Sequence, residues 1–379
     1  MKAIKWMILL LGLLLPGCGS GDKSEQVNNE ASLKEALKDK FLIGTALNAR
    51  QIMGTDTPGV AVIKQHFNSI VAENCMKSEA IQPEEGKFDF SLADRFVDFG
   101  EANGMHINGH TLVWHSQAPA WFFTDANGRD VARDTLIERM RNHITTLVSR
   151  YKGKIKSWDV VNEAILDDGS WRKSKFYEII GEDFISLAFR FAHEADPDAE
   201  LNYNDYSMAI EAKREGVIGM IKSLQEQGVP IHGVGMQGHL QMDEPTLEAF
   251  EKSLTAFSAL GLNVMITELD ITVLPPPFED GGADVSLNSE YQKELNPYPG
   301  GLPEEQAKAL DNRYLDFFRL FLKHKDKIQR VTLWGVCDAD SWRNDWPVPG
   351  RTDYALLFDR RHKPKPVVGE IIKLAASAR

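Results

Sequence analysis

Two glutamates carry the first chemical signal in this chain. Glu163 ends the run Ser157-Trp158-Asp159-Val160-Val161-Asn162-Glu163, and Glu268 lies in Met265-Ile266-Thr267-Glu268-Leu269-Asp270. Each follows a short apolar stretch of strand type, with Asn162 just before the first glutamate and Asp270 two places after the second. A single carboxylate at a strand end often caps a neighbouring helix and does no chemistry. Two that face each other across a gap the width of a sugar ring can cleave a glycosidic bond: one protonates the leaving oxygen while the other attacks or activates water.

The elements that must position them repeat along the chain. From Phe41 onward, short runs rich in Val, Ile and aromatics alternate with longer segments of helical period, the mark of strand-helix units and a parallel sheet. Eight runs stand out: Phe41 to Leu47, Ser69 to Met76, His106 to Trp114, Ser157 to Glu163, Leu201 to Tyr206, Gly233 to Leu240, Val264 to Ile271 and Val331 to Val336. Between them, Leu247, Phe250, Leu254, Phe257 and Leu260 form a helical stripe closed by Gly261, and Phe184, Leu187, Ala188 and Phe191 form another. These stripes are core. Eight units predict a closed (β/α)8 barrel, an α/β TIM barrel with its active site at the C-terminal ends of the strands. The glutamates of the fourth and seventh runs would then meet from opposite sides of the mouth. Pro275 to Gly301, rich in Pro and Gly pairs, is too long for a plain connector and is expected to overhang that mouth.

Other strand ends fit the same face. The second run offers Glu73 and Asn74 with Lys77 beyond, the third offers His110, Trp114 and Gln117, the sixth Gln237 and His239, and the eighth leads into Trp334 and Trp342. Indoles of this kind suit stacking on sugar rings. Any one of these polar groups could equally hold a loop in place, and the functional reading rests on their convergence. His106, His110 and His115 are close in sequence, but strand alternation turns His110 and His115 to opposite faces and leaves His106 at the far end, so no metal is expected there. No phosphate-cradling Gly-rich loop and no G-x-S-x-G elbow is present.

Composition narrows the partners. The 379 residues are 43% apolar and 26% charged, enough for one large core, and the formal net charge of −12 without a basic run argues against nucleic acid and anionic surfaces. At the N-terminus, Lys2 and Lys5 precede an apolar run from Trp6 to Leu15, shorter than the about 20 residues a membrane span needs. Leu15-Pro16-Gly17-Cys18 then resembles a bacterial lipoprotein signal, which implies a signal peptide over 1–17, lipidation of Cys18 and a polar tether over 18–32. The remaining cysteines, Cys75 and Cys337, are each read as lying in a strand as buried free thiols, with neither a disulfide framework nor metal-ligand spacing.

At the strand ends the resemblance becomes specific. Gly109 to Gln117 (GHTLVWHSQ), Trp158 to Glu163 (WDVVNE), Asn204-Asp205-Tyr206, Gly233 to Leu240 (GVGMQGHL), Ile266 to Asp270 (ITELD) and Leu333 to Val336 (LWGV) are similar, in order, to the motifs of glycoside hydrolase family ten xylanases. The likeness runs from about Leu33 to the end, so the catalytic barrel is expected over 33–379. It implies a (β/α)8 barrel and retaining cleavage of internal β-1,4 bonds of xylan without a cofactor. It further implies Glu163 as acid/base, Glu268 as nucleophile, Asn162 on the sugar 2-hydroxyl and His239 bridging Glu268 and Asp270. Glu73, Asn74, Lys77, His110, Trp114 and Gln117 would bind the glycone, with Tyr206, Gln237, Trp334 and Trp342 completing the cleft. Xylan or xylo-oligosaccharide is the expected partner, the lipid anchor the sole membrane contact, and a monomer the expected state. Met236 and Gly238 stand where many relatives carry an aromatic and a serine, Cys75 interrupts the second-strand motif, and the Pro275 to Gly301 loop is longer than usual. These departures bear on fine substrate preference and leave both carboxylates untouched.

Overall fold

The computed structural model describes residues 31–276, 289–290 and 292–378. The signal peptide, most of the tether and Cys18 lie outside the described residues, as do residues 277–288 and 291 of the long loop. Ser32 to Arg379 is one compact unit. It opens where Ser32 caps the helix Leu33–Leu37, its side chain accepting from the Glu35 amide at 3.4 Å.

Nine strands follow: β1 Leu42–Leu47, β2 Ser69–Ala72, β3 His106–Trp114, β4 Ser157–Asn162, β5 Glu200–Asp205, β6 Gly233–Met236, β7 His239–Gln241, β8 Asn263–Thr272 and β9 Ile328–Leu333. All pairings between them are parallel, and β6 pairs β8 while β9 pairs β1, which closes an eight-membered ring with helices between the strands. The sixth predicted run is two strands. At Gln237-Gly238 the chain turns, Gly238 at φ 82°, and β7 resumes beside the outer half of β8, pairing His239 with Asp270. A kink of this kind needs the glycine and re-aims the side chains on either side of it.

The ring is packed on both of its faces, against the helices outside and among its own side chains within. Trp158 of β4 is buried against Gly109 of β3, where any Cβ would stand 2.1 Å from the indole. Replacing Trp158 by Ala would cost about 3–5 kcal/mol. Lower down, Arg330 is buried whole and donates to His106 Nε2 at 2.9 Å, Ser157 Oγ at 3.2 Å and Asn108 Oδ1 at 3.1 Å. His106 thus serves the barrel floor, as its place at the start of β3 predicted. Outside, the helix Leu247–Ser258 starts on Thr246, whose hydroxyl accepts from the Ala249 amide at 3.1 Å, and turns Phe250, Leu254 and Phe257 inward. Both remaining cysteines are free, but neither lies in a strand: Cys75 follows β2 and is only half-buried, while Cys337 follows β9 and is fully buried. Strand β2 stops at Ala72 because the chain turns there to present Glu73 and Asn74 at the mouth.

Candidate active site

The residues singled out from strand ends gather at one opening. Glu73, Asn74, Lys77, His110, Trp114, Gln117, Asn162, Glu163, Gln237, His239, Glu268, Trp334 and Trp342 line a pocket of about 300 Å³, joined by Ser116 and Trp346. Tyr206 is not among them. It lines a neighbouring groove of about 820 Å³ that shares Gln237 and His239 with the first and also takes in Met236 and Arg343. Asp270 sits behind His239. The cleft therefore continues past the two glutamates on one side.

Glu163 follows β4 directly, in the left-handed region at φ 61°. That conformation is uncommon for a residue with a side chain and marks a position fixed by its surroundings. Its carboxylate accepts from Trp114 Nε1 at 2.8 Å, Gln237 Nε2 at 3.0 Å and Asn162 Nδ2 at 3.2 Å. Burial, and then the negative charge of Asp205, push its pKa up to about 7, against the pull of the Gln237 and Trp114 donors; Glu268 adds to the push. The carboxyl thus keeps its proton on about half of the molecules at neutral pH and on most of them below it.

Glu268, inside β8, has the opposite setting. Burial on its own would raise its pKa, but the His239 hydrogen bond, the His110 and His239 charges and the Asn204 amide outweigh it and hold the carboxyl below the ordinary value. Asn204 Nδ2 donates to Oε1 at 2.8 Å, and His239 Nε2 lies 3.1 Å from Oε2. The other imidazole nitrogen, Nδ1, lies 3.0 Å from Asp270 Oδ2. Burial works against a charge on His239, yet Asp270 and then Glu268 raise its pKa to about 9, so both ring nitrogens carry protons at neutral pH and donate to the two carboxylates. Trp342 Nε1 donates to the same Asp270 oxygen at 2.7 Å, and the Trp342 ring stacks on Trp346 at 4.9 Å and 18°.

Around this pair, Lys77 Nζ donates to Asn74 Oδ1 and Gln117 Oε1, both at 3.0 Å, and stands 4.9 Å from the Trp114 ring. Burial lowers the Lys77 pKa while Glu268, Glu73 and Glu163 raise it, the net being downward. His110 Nδ1 lies 3.0 Å from Asp159 Oδ2. His115, just past the end of β3, lies 3.9 Å from Glu163 Oε2. The three histidines near β3 do not converge.

Asn204 is the residue that sequence reasoning quoted without giving a task. It donates to Glu268 and to Asn162 Oδ1 at 2.9 Å, while Thr267 Oγ1 donates to its own Oδ1 at 2.6 Å. Gly235 makes room for it, since a Cβ there would meet Asn204 Oδ1 at 2.4 Å. Its place as the penultimate residue of β5 was the available signal, the same strand-end test that selected the glutamates. Trp346 and Arg343 had no such signal, because they come from the loop after β9.

Known proteins resemble this chain across the same span. The family model for glycosyl hydrolase family 10 matches residues 32–374. An endo-1,4-beta-xylanase A of Xylanibacter ruminicola is 56% identical over 346 residues, covering 91% of this chain and 94% of that protein. An endo-1,4-beta-xylanase of Geobacillus stearothermophilus is 42% identical over 345 residues, covering 90% and 98%. Among solved structures, an endoxylanase of this family from a sugarcane soil metagenome superposes with a TM-score of 0.88 at 49% identity, covering 90% of this chain and all of that one. With a closed barrel, paired glutamates at its mouth and a family match over nearly all of the described unit, the chain belongs to glycosyl hydrolase family 10.

Proposed function

We propose that the chain is a secreted, lipid-anchored endo-β-1,4-xylanase that cleaves xylan with retention, using Glu163 as acid/base and Glu268 as nucleophile. The observation that carries the assignment is the opposite tuning of two buried carboxyls at one cleft, Glu163 pushed up to about 7 and Glu268 held down. A carboxyl near 7 keeps its proton until the leaving oxygen needs it. A depressed one stays ionised to attack carbon. In the first step Glu268 forms a bond to the anomeric carbon as the glycosidic bond breaks, and the Glu163 proton passes to the departing oxygen. In the second, Glu163 takes a proton from water, the water oxygen bonds to the anomeric carbon, and the ester to Glu268 breaks.

The protonated His239 steadies Glu268 in both steps, and Asp270 keeps that ring charged and aimed. The Asn162 amide, oriented by Asn204, is set to donate to the 2-hydroxyl beside the reacting carbon. A cleft that continues past both glutamates accepts a chain through its middle, which favours internal bonds. Close relatives carry the name endo-1,4-beta-xylanase. Incubation with xylan, β-glucan, mannan and cellulose, with sizing of the products, tests substrate and endo-action together. Mixed xylo-oligomers from xylan alone are expected, and xylose as the sole early product would overturn endo-action.

The lipid anchor rests on the Leu15 to Cys18 box. Cys18→Ala should leave soluble or unprocessed protein with normal activity in a lysate. Mass spectrometry of the wild-type N-terminus decides the matter: an unmodified residue, or a start elsewhere than Cys18, rejects the anchor.

A further inference from the structure

Away from both glutamates, three side chains of metal-binding type converge. Cys337 Sγ, an Asp340 carboxylate oxygen and a His362 ring nitrogen all lie within 4.8 Å of one another. Cys337 and Asp340 come from the turn after β9, and His362 from the hairpin closed by the Phe358–Pro364 bridge. A fourth group arrives from beyond β1: Asp56, which caps the helix Thr57–His66, places Oδ2 3.4 Å from His362 Nε2.

Two of the spacings are those of ligands, while Asp56 stands outside the group of three. With bonds of about 2.0–2.1 Å to nitrogen and oxygen and about 2.3 Å to sulfur, neighbouring donors of a tetrahedral zinc ion stand about 3.3–3.6 Å apart. Cys337 Sγ and Asp340 Oδ2 are 3.3 Å apart, and the Asp56–His362 pair matches as well. Each carboxylate is also held as a ligand would be. Asp340 Oδ1 accepts from Asn48 Nδ2 at 2.9 Å and Arg50 at 3.1 Å, and Oδ2, which accepts from the Cys337 amide at 3.3 Å, faces the thiol. Asp56 Oδ1 accepts from the Gly59 amide at 3.1 Å, which leaves Oδ2 facing the imidazole. Gln51 Nε2 donates to both Oδ2 atoms, at 2.9 and 3.2 Å, and pins them together.

His362 supplies an independent sign. Its Nε2 is buried and makes no hydrogen bond among the described residues, with Asp56 its neighbour at ion-pair distance. Its backbone sits at φ 63°, the left-handed region, so the loop presents the ring at a cost. The Asp340 and Asp56 side chains are 2% and 8% exposed and the thiol fully buried. Among the described residues, two carboxylates and a thiol there face the Arg50 guanidinium and the His362 ring. A divalent ion balances that set, and sulfur with imidazole selects zinc over magnesium or calcium.

We propose that Cys337, Asp340 and His362 bind a structural zinc ion, with Asp56, which stands beside His362 and outside that group of three, drawn in to the fourth position. The ion ties the loop after β9 to the loop after β1 and to the final hairpin. Asp340 stands two residues before Trp342, so the clamp steadies the mount of the indole wall and takes no part in bond cleavage.

Cobalt(II) is the probe, because a thiolate ligand gives a near-ultraviolet charge-transfer band and tetrahedral coordination a strong visible spectrum. The purified protein should take up one zinc per chain after dialysis, and cobalt should give both signals. Cys337→Ser should lose the charge-transfer band, Cys75→Ser should keep it, and His362→Gln, which removes a ligand, should weaken zinc binding by more than the roughly tenfold to hundredfold that losing an outer-shell partner costs. Zinc should raise the melting temperature of the wild type and leave that of His362→Gln unmoved. No stoichiometric zinc in the wild type, a cobalt spectrum without the thiolate band, or loss of the band in Cys75→Ser but not Cys337→Ser would overturn the site. Each readout on the wild type stands even if a variant fails to fold.

Discussion

A proton must rest on Glu163 at a pH where Glu268 has none, and the neighbours of each residue arrange this. Removing either residue should separate the two tasks. Glu163→Ala should lower turnover on xylan by about 10²–10⁴-fold, the usual worth of general acid-base help. An aryl xylobioside with a dinitrophenolate leaving group needs no such proton, so this variant should still form the covalent intermediate and then stall, with azide relieving the stall. Glu268→Ala should fail on both substrates. Proton NMR of the first product formed by the wild type should show the β-anomer, and an initial α-anomer would remove Glu268 from the nucleophile's role.

The same tuning sets a pH dependence. As pH rises through about 7 Glu163 loses its proton, so kcat/KM on xylan should fall above that value while cleavage of the activated aryl substrate should not. After burial, the negative charge of Asp205 is the largest cause of the elevation. Asp205 is buried whole, 2.9 Å from Lys213 Nζ and in contact with the Tyr203 hydroxyl. Asp205→Asn should therefore move the alkaline limb on xylan to lower pH. A limb that stays put would show that Asp205 acts on structure alone.

At the scale of elements, the cleft depends on where the strands stop. The predicted run His106 to Trp114 coincides with β3, bounded by the Asn103-Gly104 turn shortly before it and by Ser116-Gln117 shortly after it. The sixth run was read as one strand and is two, since apolar patterning continues through Gln237-Gly238 and only the backbone reveals the turn. That turn matters to the site: it lets Gln237 reach Glu163 and His239 reach Glu268 from opposite sides of one glycine. Strand-end residues were legible because the barrel makes position along a strand equivalent to position in the cleft. Loop residues were legible in part: Lys77, Gln117 and Trp342 were expected and line the cleft, while Trp346 behind Trp342 carried no signal. On the proposed assignment the stacked pair would act as a wall that crowds the hydroxymethyl group of a glucosyl unit and admits xylose. Trp342→Ala should lower kcat/KM on xylobiosides between about twofold and tenfold, an aromatic contact being worth about 0.5–1.5 kcal/mol. Relative activity on aryl cellobiosides should rise. An unchanged ratio of the two specificity constants would place the discrimination elsewhere.

Over the whole molecule, stability in acid is distributed through buried histidines that fold in their neutral form. His66 accepts from the Leu33 amide at 3.4 Å and ties the first helix to the barrel, His106 serves the floor, and His143 lies between Gln82 Oε1 at 2.7 Å and Ser78 Oγ at 3.3 Å. Burial lowers their pKa values from 6.5 to about 4, about 3 and about 3 respectively, with nearby cations helping at the first two. Between about 6.5 and those values the unfolded chain binds more protons than the folded one, so these groups withdraw stability as pH falls. Raised carboxyls pull the other way over part of the range: Glu163, raised to about 7, Asp338, raised to about 6, and Glu73, Asp205, Asp311 and Asp353, all raised mainly by burial, bind protons more readily when folded. The net slope mixes both, and a difference between variants isolates one group. His143→Gln keeps an amide that can serve both partners and removes the titration. At pH 7 it should lose some stability through imperfect packing against Phe88 and Phe122. On going from pH 6.5 to 4 the wild type should lose more than the variant by on the order of 3 kcal/mol, at about 1.4 kcal/mol for each pH unit in which the unfolded histidine is charged and the folded one is not. Urea unfolding of both proteins at several pH values in that window measures it, and parallel curves would mean that His143 takes its proton without unfolding.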